Sequence, residues 1–501
     1  MSGTDPTVRA LGPQSSVLSP RHAHHVVIIG GGIAGLSTAY ALQEQARLAG
    51  IPLACTLIEA QERLGGVILT ERVDGFVIEA GPDSLLTQKP WGLELCQTLG
   101  IGDRLIGTND GQRTIYILWD GRLQPLPAGL MLVVPTRLGP LLRSQLLSWP
   151  GKIRMGLEYL LPSRPSDGDE SLAAFVRRRL GREALDKIAD PLLAGIYAGS
   201  SQDMSLLATF PRLRELELTH GGLIRGVLAQ RRTLHRTPAA NSQPTTTLFM
   251  APRGGMAEIV EALSSRLDQV ALRLGETVQR VVPHGDGAAA PQGYAVHLDG
   301  ATTLQAEAVV CATPAHITAG IVEGFHPRLA AALRAIPYVS SATISLAYRR
   351  RDVSHPLDGF GFLVGKHEGR RIMAATWTST KFPHRAPADH VLIRSFIGGV
   401  GGEDLVRRDD AALIQLVGEE LGAILGITTA PVLARVYRWE RANPQYLVGH
   451  LERVDAMEQM LAPYPGLLLT GSAYRGVGVP DCIHQGILTA ERLLALLAPA
   501  V

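Results

Sequence analysis

The feature that most constrains the fold is a glycine-rich turn near the N-terminus, within VVIIGGGIAGLSTAYAL at residues 26–42. Four apolar residues lead into Gly30, Gly31 and Gly32, and Gly35 follows. In a Gly-x-Gly-x-x-Gly turn the first glycine allows the sharp bend, the second leaves room for a diphosphate, and the third lets helix and strand pack closely. Backbone amides at the helix N-terminus then bind the anion. A tight turn without a ligand is the simpler alternative.

The residues around this turn predict a complete βαβ unit. A helix is expected over about 33–48, and an apolar strand over 53–60 carries Glu59 near its end. Glu59 is placed to accept hydrogen bonds from a ribose diol, and its charge disfavours the additional phosphate of NADP. This order predicts a dinucleotide-binding domain in an α/β protein. The turn by itself does not distinguish NAD from FAD.

Two further segments favour FAD. EAQERLGG at 59–66, followed by Thr70, resembles the Arg-x-Gly-Gly segment that follows the βαβ unit in large flavin oxidases. Near the C-terminus, LLLTGSAYRGVGVPDCIHQG at 467–486 predicts a strand, a glycine-rich turn and a helix that begins near Asp481. The positive end of that helix would stabilise the negative charge of a reduced isoalloxazine ring. A plain connection between strand and helix is the alternative for this turn.

Charge and cysteine usage narrow the function classes. The net charge of the 501-residue chain is +2, which gives no indication of a nucleic-acid-binding surface. The four cysteines are widely scattered and neither they nor the histidines show metal-ligand spacing, so reduced thiols in a cytoplasmic protein and no metal site are expected. Residues 1–24 contain no apolar signal core, and we interpret them as a disordered leader, with an organelle-targeting segment as the alternative.

One helical segment raises the question of membrane contact. No stretch of the sequence approaches the 18 or so apolar residues that a spanning helix needs. Residues 137–162 follow a 3.6-residue apolar period and also carry Arg143, Lys152 and Arg154. Such a segment could lie in a bilayer interface, which would make the protein membrane-associated. A helix packed on its own domain is the alternative.

With these segments in view, the chain resembles the FAD-dependent porphyrinogen oxidases, which include the bacterial coproporphyrinogen III oxidases and the protoporphyrinogen IX oxidases. The resemblance covers about residues 25–497. Its more specific segments are EAGPDSLL (79–86), DPLLAGIYAGSSQDMSL (190–206), TWTSTKFPHRAP (376–387), NPQYLVGH (443–450) and YRGVGVPDCIHQG (474–486).

The resemblance implies a Rossmann-like FAD-binding domain of the amine-oxidase type, a mixed-sheet substrate domain and a helical membrane-contacting domain. Combined with the residue patterns, it assigns the segments 25–90, 250–320 and 450–501 to a discontinuous FAD-binding domain. Residues 91–220 are assigned to the helical domain. The segments 221–249 and 321–449 are assigned to the substrate domain.

The resemblance also implies the cofactor contacts. Val67 replaces the second arginine that is common after the Gly-Gly pair in flavin oxidases, and Val278 would offer its backbone to the adenine edge. The expected FAD-binding residues are Gly30, Gly31, Gly32, Ile33, Ala34, Gly35, Glu59, Ala60, Val67, Gly81, Pro82, Asp83, Ser84, Val278, Trp439, Ser472, Val477, Gly478 and Val479.

Four residues are candidates for substrate binding. The resemblance places a carboxylate partner at Arg113 and a carbonyl that faces pyrrole N–H groups at Gly195. Lys89 is a candidate for a second propionate, and Phe382 for the wall of the substrate slot. Alternatively, Arg113 and Lys89 are ordinary exposed residues, and Phe382 is an aromatic residue of the core.

The predicted function is oxidation of coproporphyrinogen III to coproporphyrin III in haem biosynthesis. Aromatising a porphyrinogen removes six electrons, so a two-electron carrier acts three times, with molecular oxygen as acceptor and peroxide as by-product. Positioning in a dry slot is expected to matter more than a side-chain base. Protoporphyrinogen IX oxidase is the alternative; an amine oxidase, a carotenoid desaturase and a non-enzymatic carrier on the same fold remain competing hypotheses. A homodimer is one option for an oligomeric state that the sequence leaves open.

Overall fold

The protein is described here as a computed structural model that covers residues 23–164, 168–234, 247–285 and 291–498. All but the last two residues of the predicted leader at 1–24 lie outside the described residues.

The described strands are β1 (His24–Ile29), β2 (Leu53–Glu59), β3 (Thr70–Val73), β4 (Phe76–Glu79), β5 (Leu85–Leu86), β6 (Leu105–Gly107), β7 (Ile115–Trp119), β8 (Arg122–Pro125), β9 (Leu130–Met131), β10 (Val134–Pro135), β11 (Phe249–Pro252), β12 (Val270–Leu274), β13 (Val278–His284), β14 (Gly293–Leu298), β15 (Thr303–Ala306), β16 (Ala308–Cys311), β17 (Tyr338–Arg349), β18 (Gly361–Val364), β19 (Ala374–Trp377), β20 (His390–Gly398), β21 (Leu433–Pro444) and β22 (Leu467–Leu469).

The described α-helices are α1 (Ile33–Ala49), α2 (Trp91–Thr98), α3 (Leu138–Arg143), α4 (Trp149–Gly156), α5 (Leu172–Arg179), α6 (Arg182–Ala184), α7 (Asp190–Tyr197), α8 (Leu206–Thr209), α9 (Pro211–His220), α10 (Leu223–Leu234), α11 (Ala257–Ser264), α12 (Ala315–Val322), α13 (Pro327–Arg334), α14 (Thr378–Lys381), α15 (Glu403–Val406), α16 (Asp410–Leu425), α17 (His450–Leu461) and α18 (Val479–Leu497). A π-helical turn spans Leu185–Ala189, and short 3₁₀ turns lie at Gly102–Arg104, Asp110–Gln112, Leu157–Leu160, Asp299–Ala301, Arg350–Asp352, Lys366–Glu368 and Pro383–Arg385.

A five-stranded parallel sheet forms the centre of the dinucleotide-binding part, with strand order β12-β2-β1-β16-β22. β1 is the middle strand, and because side chains alternate along a strand its residues serve two cores. Val26 and Ile28 pack toward α1, α11 and α18, whereas Val27 and Ile29 pack toward β13–β15, α12 and α17. A strand covered on both faces needs apolar residues throughout, which explains the unbroken VVII run.

The sheet is assembled from distant parts of the chain, as the sequence predicts. β1 and β2 come from the first 60 residues, β12 and β16 from the middle, and β22 from the last 40. This assembly confirms the Rossmann-like, α/β fold class. It also brings both glycine-rich turns to the carboxyl edge of one parallel sheet, where ligands bind in folds of this type.

A second, seven-stranded mixed sheet has the order β21-β17-β20-β19-β18-β7-β8. Neighbouring strands are antiparallel except β18 and β7, which run parallel. β7 and β8 come from within 91–220, which the sequence analysis described as helical, so this stretch differs from that expectation. The local reason is the hairpin IYILW-DG-RLQP, whose turn residues Asp120 and Gly121 both have positive φ, as this tight hairpin turn requires.

The helices α3–α10 form a third unit around a core that includes Leu146, Met155, Phe175 and Leu216. The amphipathic segment predicted at 137–162 is not one helix. It divides into α3, α4 and a 3₁₀ turn, because Ser148 caps α4 by accepting a hydrogen bond from the Gly151 amide. Among the described helices, none combines the length and apolar character that would let it cross a membrane.

Candidate functional site

The first glycine turn and the first amides of α1 form an open space for an anion, called the cradle below. Gly30 has a φ of +109°, and a Cβ at Gly35 would lie 2.0 Å from the Gly30 carbonyl oxygen, so both positions need glycine. A Cβ at Gly32 would meet no atom within 4 Å. Among the described residues the Ala34 amide has no acceptor, and the Ile33 amide faces the Gly65 carbonyl oxygen only across an isolated bridge, without a hydrogen bond of normal geometry. These donors face a space that suits a diphosphate.

Glu59 is held beside this cradle at the end of β2. One of its carboxylate oxygens accepts a hydrogen bond from the Gly31 amide at 2.7 Å, and the other accepts one from Gln61 at 2.9 Å. A carboxylate oxygen has two lone pairs, so both can still accept a bond from a ribose hydroxyl. The Glu276 amide donates to the Glu59 carbonyl oxygen, which places the start of β13, and with it Val278, next to this acid.

The loop that carries Gly81 is held from both sides. A Cβ at Gly81 would lie 1.8 Å from the carbonyl oxygen of Val67, so the two predicted contact segments touch. The Ala80 carbonyl oxygen accepts three hydrogen bonds from the seven-stranded sheet. The donors are Trp439 Nε1 at 2.8 Å, Thr343 Oγ1 at 2.9 Å and Arg394 Nη2 at 3.1 Å. Trp439, expected to contact FAD, therefore fixes this loop.

Buried charges surround the same loop. Lys381 Nζ lies 2.8 Å from an Asp83 carboxylate oxygen. Burial alone would raise the pKa of Asp83, but Lys381 and Arg394 lower it below its usual value. Burial lowers the pKa of Arg394 and raises that of Glu79, which lies 3.1 Å from Arg385. Since each carboxylate has a basic partner, the loop is fixed by charge as well as by hydrogen bonds.

The second glycine turn converges on the first, as the sequence analysis requires. Gly471 follows β22, and a Cβ there would lie 3.8 Å from the Ala34 Cβ. A Cβ at Gly486 would lie 2.6 Å from the Ala34 carbonyl oxygen, so α18 packs closely against α1. α18 begins at Val479, two residues before the predicted start near Asp481. The two turns thus border one continuous site.

Tyr446 and His450 support the second turn through hydrogen bonds to its backbone. The buried Tyr446 hydroxyl donates to the Ser472 carbonyl oxygen at 2.7 Å and accepts from the Gly476 amide at 2.9 Å. The ring of His450 stacks on Tyr446 at 3.9 Å, and its Nε2 lies 2.8 Å from the Tyr474 carbonyl oxygen. Burial lowers the pKa of His450 to about 4. His450 is therefore a neutral donor near pH 7.

The remaining predicted contact residues lie along the same border. Ala60 is exposed just after Glu59, Val67 is 42% exposed, and Pro82 and Ser84 are half-buried in the loop after Gly81. Val477 and Gly478 are half-buried immediately before α18. The two turns, the acid between them and the held loop together fit an extended dinucleotide such as FAD, since free amides lie where its diphosphate needs donors. The individual contacts stay predictions.

The four substrate candidates have different surroundings. Arg113 is exposed at the end of the 3₁₀ turn before β7, and its side chain makes no hydrogen bond or ion pair within the described part of the chain. Gly195 lies in α7, packed against Leu363 of β18. Lys89 is ion-paired with Asp481 at 2.6 Å. Phe382 is only 1% exposed and belongs to the apolar core cluster that also contains residues of α1, and its predicted place in the slot wall stays a prediction.

Several supporting residues were missed by the sequence analysis. Lys381, Tyr446 and His450 lie inside segments that carried the family resemblance, but their roles depend on contacts across the fold. Arg394 offered a signal of its own, because it is a charged residue within the apolar strand pattern HVLIRSFIG. A charge that a central strand buries requires partners.

One group of possible metal ligands occurs within the described ranges, where the sequence analysis expected none. Asp120, His367 and Glu368 place one ligand atom each within 4.8 Å of one another at the β7–β8 turn. His367 Nε2 lies 3.2 Å from both carboxylates and is hydrogen-bonded to Asp120, while Glu368 accepts from the Gly121 amide. The group is separate from the glycine turns.

The fold and the paired turns define a flavoprotein. The chain matches the flavin-containing amine oxidoreductases over residues 33–494 and belongs to that family. Within it the protein is a porphyrinogen oxidase. It is 35% identical to the coproporphyrinogen III oxidase of Bacillus subtilis over 467 residues, 92% of this chain and 96% of that protein. It is 30% identical to chloroplastic protoporphyrinogen oxidase 1 of Arabidopsis thaliana, with 93% and 87% of the two chains covered.

A solved structure agrees with this assignment. The crystal structure of a provisionally assigned protoporphyrinogen oxidase from Exiguobacterium sp. 255-15 has a TM-score of 0.81 and 32% identity, and it covers 94% of this chain and 99% of that one. The protein is therefore a flavin-dependent oxidoreductase with FAD as its cofactor, and the FAD predicted from the two glycine turns is confirmed.

Proposed function

We propose that this protein oxidises coproporphyrinogen III to coproporphyrin III, with FAD as the bound oxidant and molecular oxygen as the final acceptor. The observation that carries the proposal is the similarity to the Bacillus subtilis coproporphyrinogen III oxidase, which covers 92% of this chain and 96% of that protein. Similarity to the plant protoporphyrinogen oxidase is lower, at 30% against 35% identity, which makes protoporphyrinogen IX the second candidate substrate.

Bound FAD supplies two-electron hydride acceptance and reoxidation by oxygen, so three rounds convert one porphyrinogen and three O₂ into one porphyrin and three H₂O₂. The contribution of the chain is to hold the macrocycle and exclude water. Gly195 lies in the last turn of α7, and among the described residues no amide after that helix donates a hydrogen bond to its carbonyl oxygen. An unpaired acceptor at a helix C-terminus suits a pyrrole N–H group.

Arg113 is suited to hold a propionate of the substrate. The loop that carries it begins beside the loop at 81–84, a predicted FAD contact, because the Asn109 amide donates to the Lys381 carbonyl oxygen and Lys381 Nζ lies beside Asp83. The guanidinium has no competing partner among the described residues and can form a bidentate contact with a carboxylate. Coproporphyrinogen III offers four such carboxylates, whereas protoporphyrinogen IX offers two.

The substrate is tested by comparing the two porphyrinogens. Each is prepared anaerobically, mixed with enzyme in aerated buffer, and followed by porphyrin fluorescence. We expect the higher kcat/KM for coproporphyrinogen III, and a preference for protoporphyrinogen IX would overturn the substrate assignment. Arg113→Met should raise the KM for coproporphyrinogen III about tenfold or more, since a charge-assisted contact contributes about 1.5–3 kcal/mol. Arg122→Met is the matched control, because Arg122 is also exposed but lies on β8.

We also propose that the helical unit lies on a membrane surface and that the protein is cytoplasmic and peripheral. Apolar side chains at Trp149, Ile153, Leu157 and Leu160 follow one helical face and are between 47% and 69% exposed. Arg143, at the end of the preceding helix α3, is also exposed. A cluster of large exposed apolar residues with a flanking cation is typical of an interfacial helix.

Vesicle binding tests this surface. The double variant Ile153→Ser and Leu160→Ser should sediment less with vesicles of anionic phospholipid than the unaltered protein does. Leu48→Ser is the control, since Leu48 is 76% exposed but lies on α1, outside the helical unit. Equal sedimentation of the double variant and the control would reject the proposal.

A further inference from the structure

Lys89 and Asp481 form an ion pair that joins two segments of the cofactor site. Lys89 Nζ lies 2.7 and 2.6 Å from the two carboxylate oxygens of Asp481, although the residues are 392 positions apart. The carboxylate is mostly buried, with 11% of its side chain exposed, and the lysine side chain is 41% exposed. The pair therefore lies at the boundary between the protein interior and solvent.

The pair is fixed in place by its surroundings. Asp481 is the third residue of α18, and its Oδ2 also accepts a hydrogen bond from the Gly478 amide at 3.2 Å. Lys89 follows the loop at 81–84, and its amide donates to the Leu86 carbonyl oxygen. Just beyond Lys89, Trp91 stacks on His484 of α18 with ring centres 3.9 Å apart. Neither charge can move far from the turn at 476–479.

The sign of the charges at this turn matters for a bound flavin. The N-terminus of α18 carries a partial positive charge, which favours the negative charge that a flavin gains on reduction. A carboxylate in the first turn of the helix opposes this effect. The Lys89 ammonium lies in direct contact with that carboxylate and offsets its charge.

We propose that Lys89 and Asp481 are positioning residues that set the reduction potential of FAD through this charge pair. The proposal rests on the proposed function and on the prediction that the ring end of FAD lies at the second glycine turn. It gives Lys89 a different role from the propionate contact considered in the sequence analysis, because its ammonium is already paired with a carboxylate.

The experiment is a redox titration of the purified holoenzyme, followed by flavin absorbance against a reference dye. Lys89→Gln leaves the carboxylate unopposed and should lower the midpoint potential. Asp481→Asn leaves the ammonium unopposed and should raise it. Each change is expected to shift the equilibrium constant for two-electron reduction about tenfold, or about 30 mV. The double variant should return to near the original value, and Lys89→Arg should keep it.

Shifts of the midpoint potential in opposite directions in the two single variants would indicate an electrostatic effect, because a purely structural role would not reverse the sign. Arg334→Gln is the control, since Arg334 forms an exposed ion pair with Glu323 on another part of the fold, and it should leave the potential unchanged. Shifts in the same direction, or shifts below threefold, would overturn the proposal. If Lys89→Gln does not fold, the sign of the Asp481→Asn shift decides alone.

The outcome also separates this proposal from the assigned function. A protein that binds no FAD contradicts both. If the protein binds FAD and oxidises coproporphyrinogen III, but neither substitution changes the midpoint potential of FAD, only the charge-pair proposal is contradicted.

Discussion

Substitution of Gly32 should remove FAD without unfolding the protein. Gly32 has a φ of −71° and a ψ of 176°, which other residues adopt readily, and a Cβ there would meet no atom within 4 Å. Gly32→Val should therefore change the free energy of unfolding of the apoprotein by no more than about 0.5 kcal/mol. The added methyl groups would occupy the space in front of the Ile33 and Ala34 amides, where a diphosphate belongs.

A lower limit for the loss of affinity for FAD follows from these two amide donors. Two hydrogen bonds to a charged group are worth about 3 kcal/mol at the low end, which corresponds to a rise in the Kd for FAD of about 100-fold or more. Kd is measured by quenching of flavin fluorescence when apoprotein is titrated, and folding by the Tm of the apoprotein. An unchanged Kd in Gly32→Val would refute the assignment of the cradle.

Gly35→Val provides the contrast. Its Cβ would lie 2.0 Å from the Gly30 carbonyl oxygen, so this variant should lower the Tm of the apoprotein itself. If Gly32→Val and Gly35→Val lowered the Tm equally, loss of FAD would reflect unfolding, and the cradle interpretation would fail.

Three further results are expected. Tyr446→Phe leaves the Gly476 amide without its acceptor, so the free energy of unfolding in urea should fall by about 1–3 kcal/mol and FAD should bind more weakly. Unchanged stability would contradict the role of Tyr446 in supporting the second glycine turn. Since the folded state lowers the pKa of His450 to about 4, its contribution to the free energy of unfolding is intact above pH 6.5 and falls by about 3 kcal/mol as the pH drops from 6.5 to 4. His450→Gln should flatten that part of the pH profile in urea titrations. Phe382→Leu should cost about 1 kcal/mol of stability, because the ring is buried. An unchanged KM for coproporphyrinogen III would show that the ring serves the core alone, and a raised KM would support its predicted place in the slot wall.

Local sequence patterns were sufficient to predict the dinucleotide-binding fold. The strand, the three glycines and Glu59 lie within 36 residues, so backbone geometry and neighbouring side chains alone predict a βαβ unit there, and α1 and β2 were placed to within a residue or two. The same reasoning mistook β7 and β8 for part of a helical region, since that assignment followed the surrounding apolar periodicity rather than the Asp-Gly turn. It also could not separate a core ring from a slot-lining ring at Phe382, because both are aromatic residues in an apolar stretch.

The sequence by itself determined that this chain builds a Rossmann-like cofactor fold, because turn geometry at Gly30 and Gly35 depends on atoms a few residues away. Tertiary structure alone decided which charges meet. Arg394 reaches the Ala80 carbonyl oxygen across 314 positions, and Lys89 reaches Asp481 across 392. The physical reason is that an ionised side chain in a folded protein acquires its electrostatic environment from whatever packs against it, and that neighbour is set by how sheets and helices assemble.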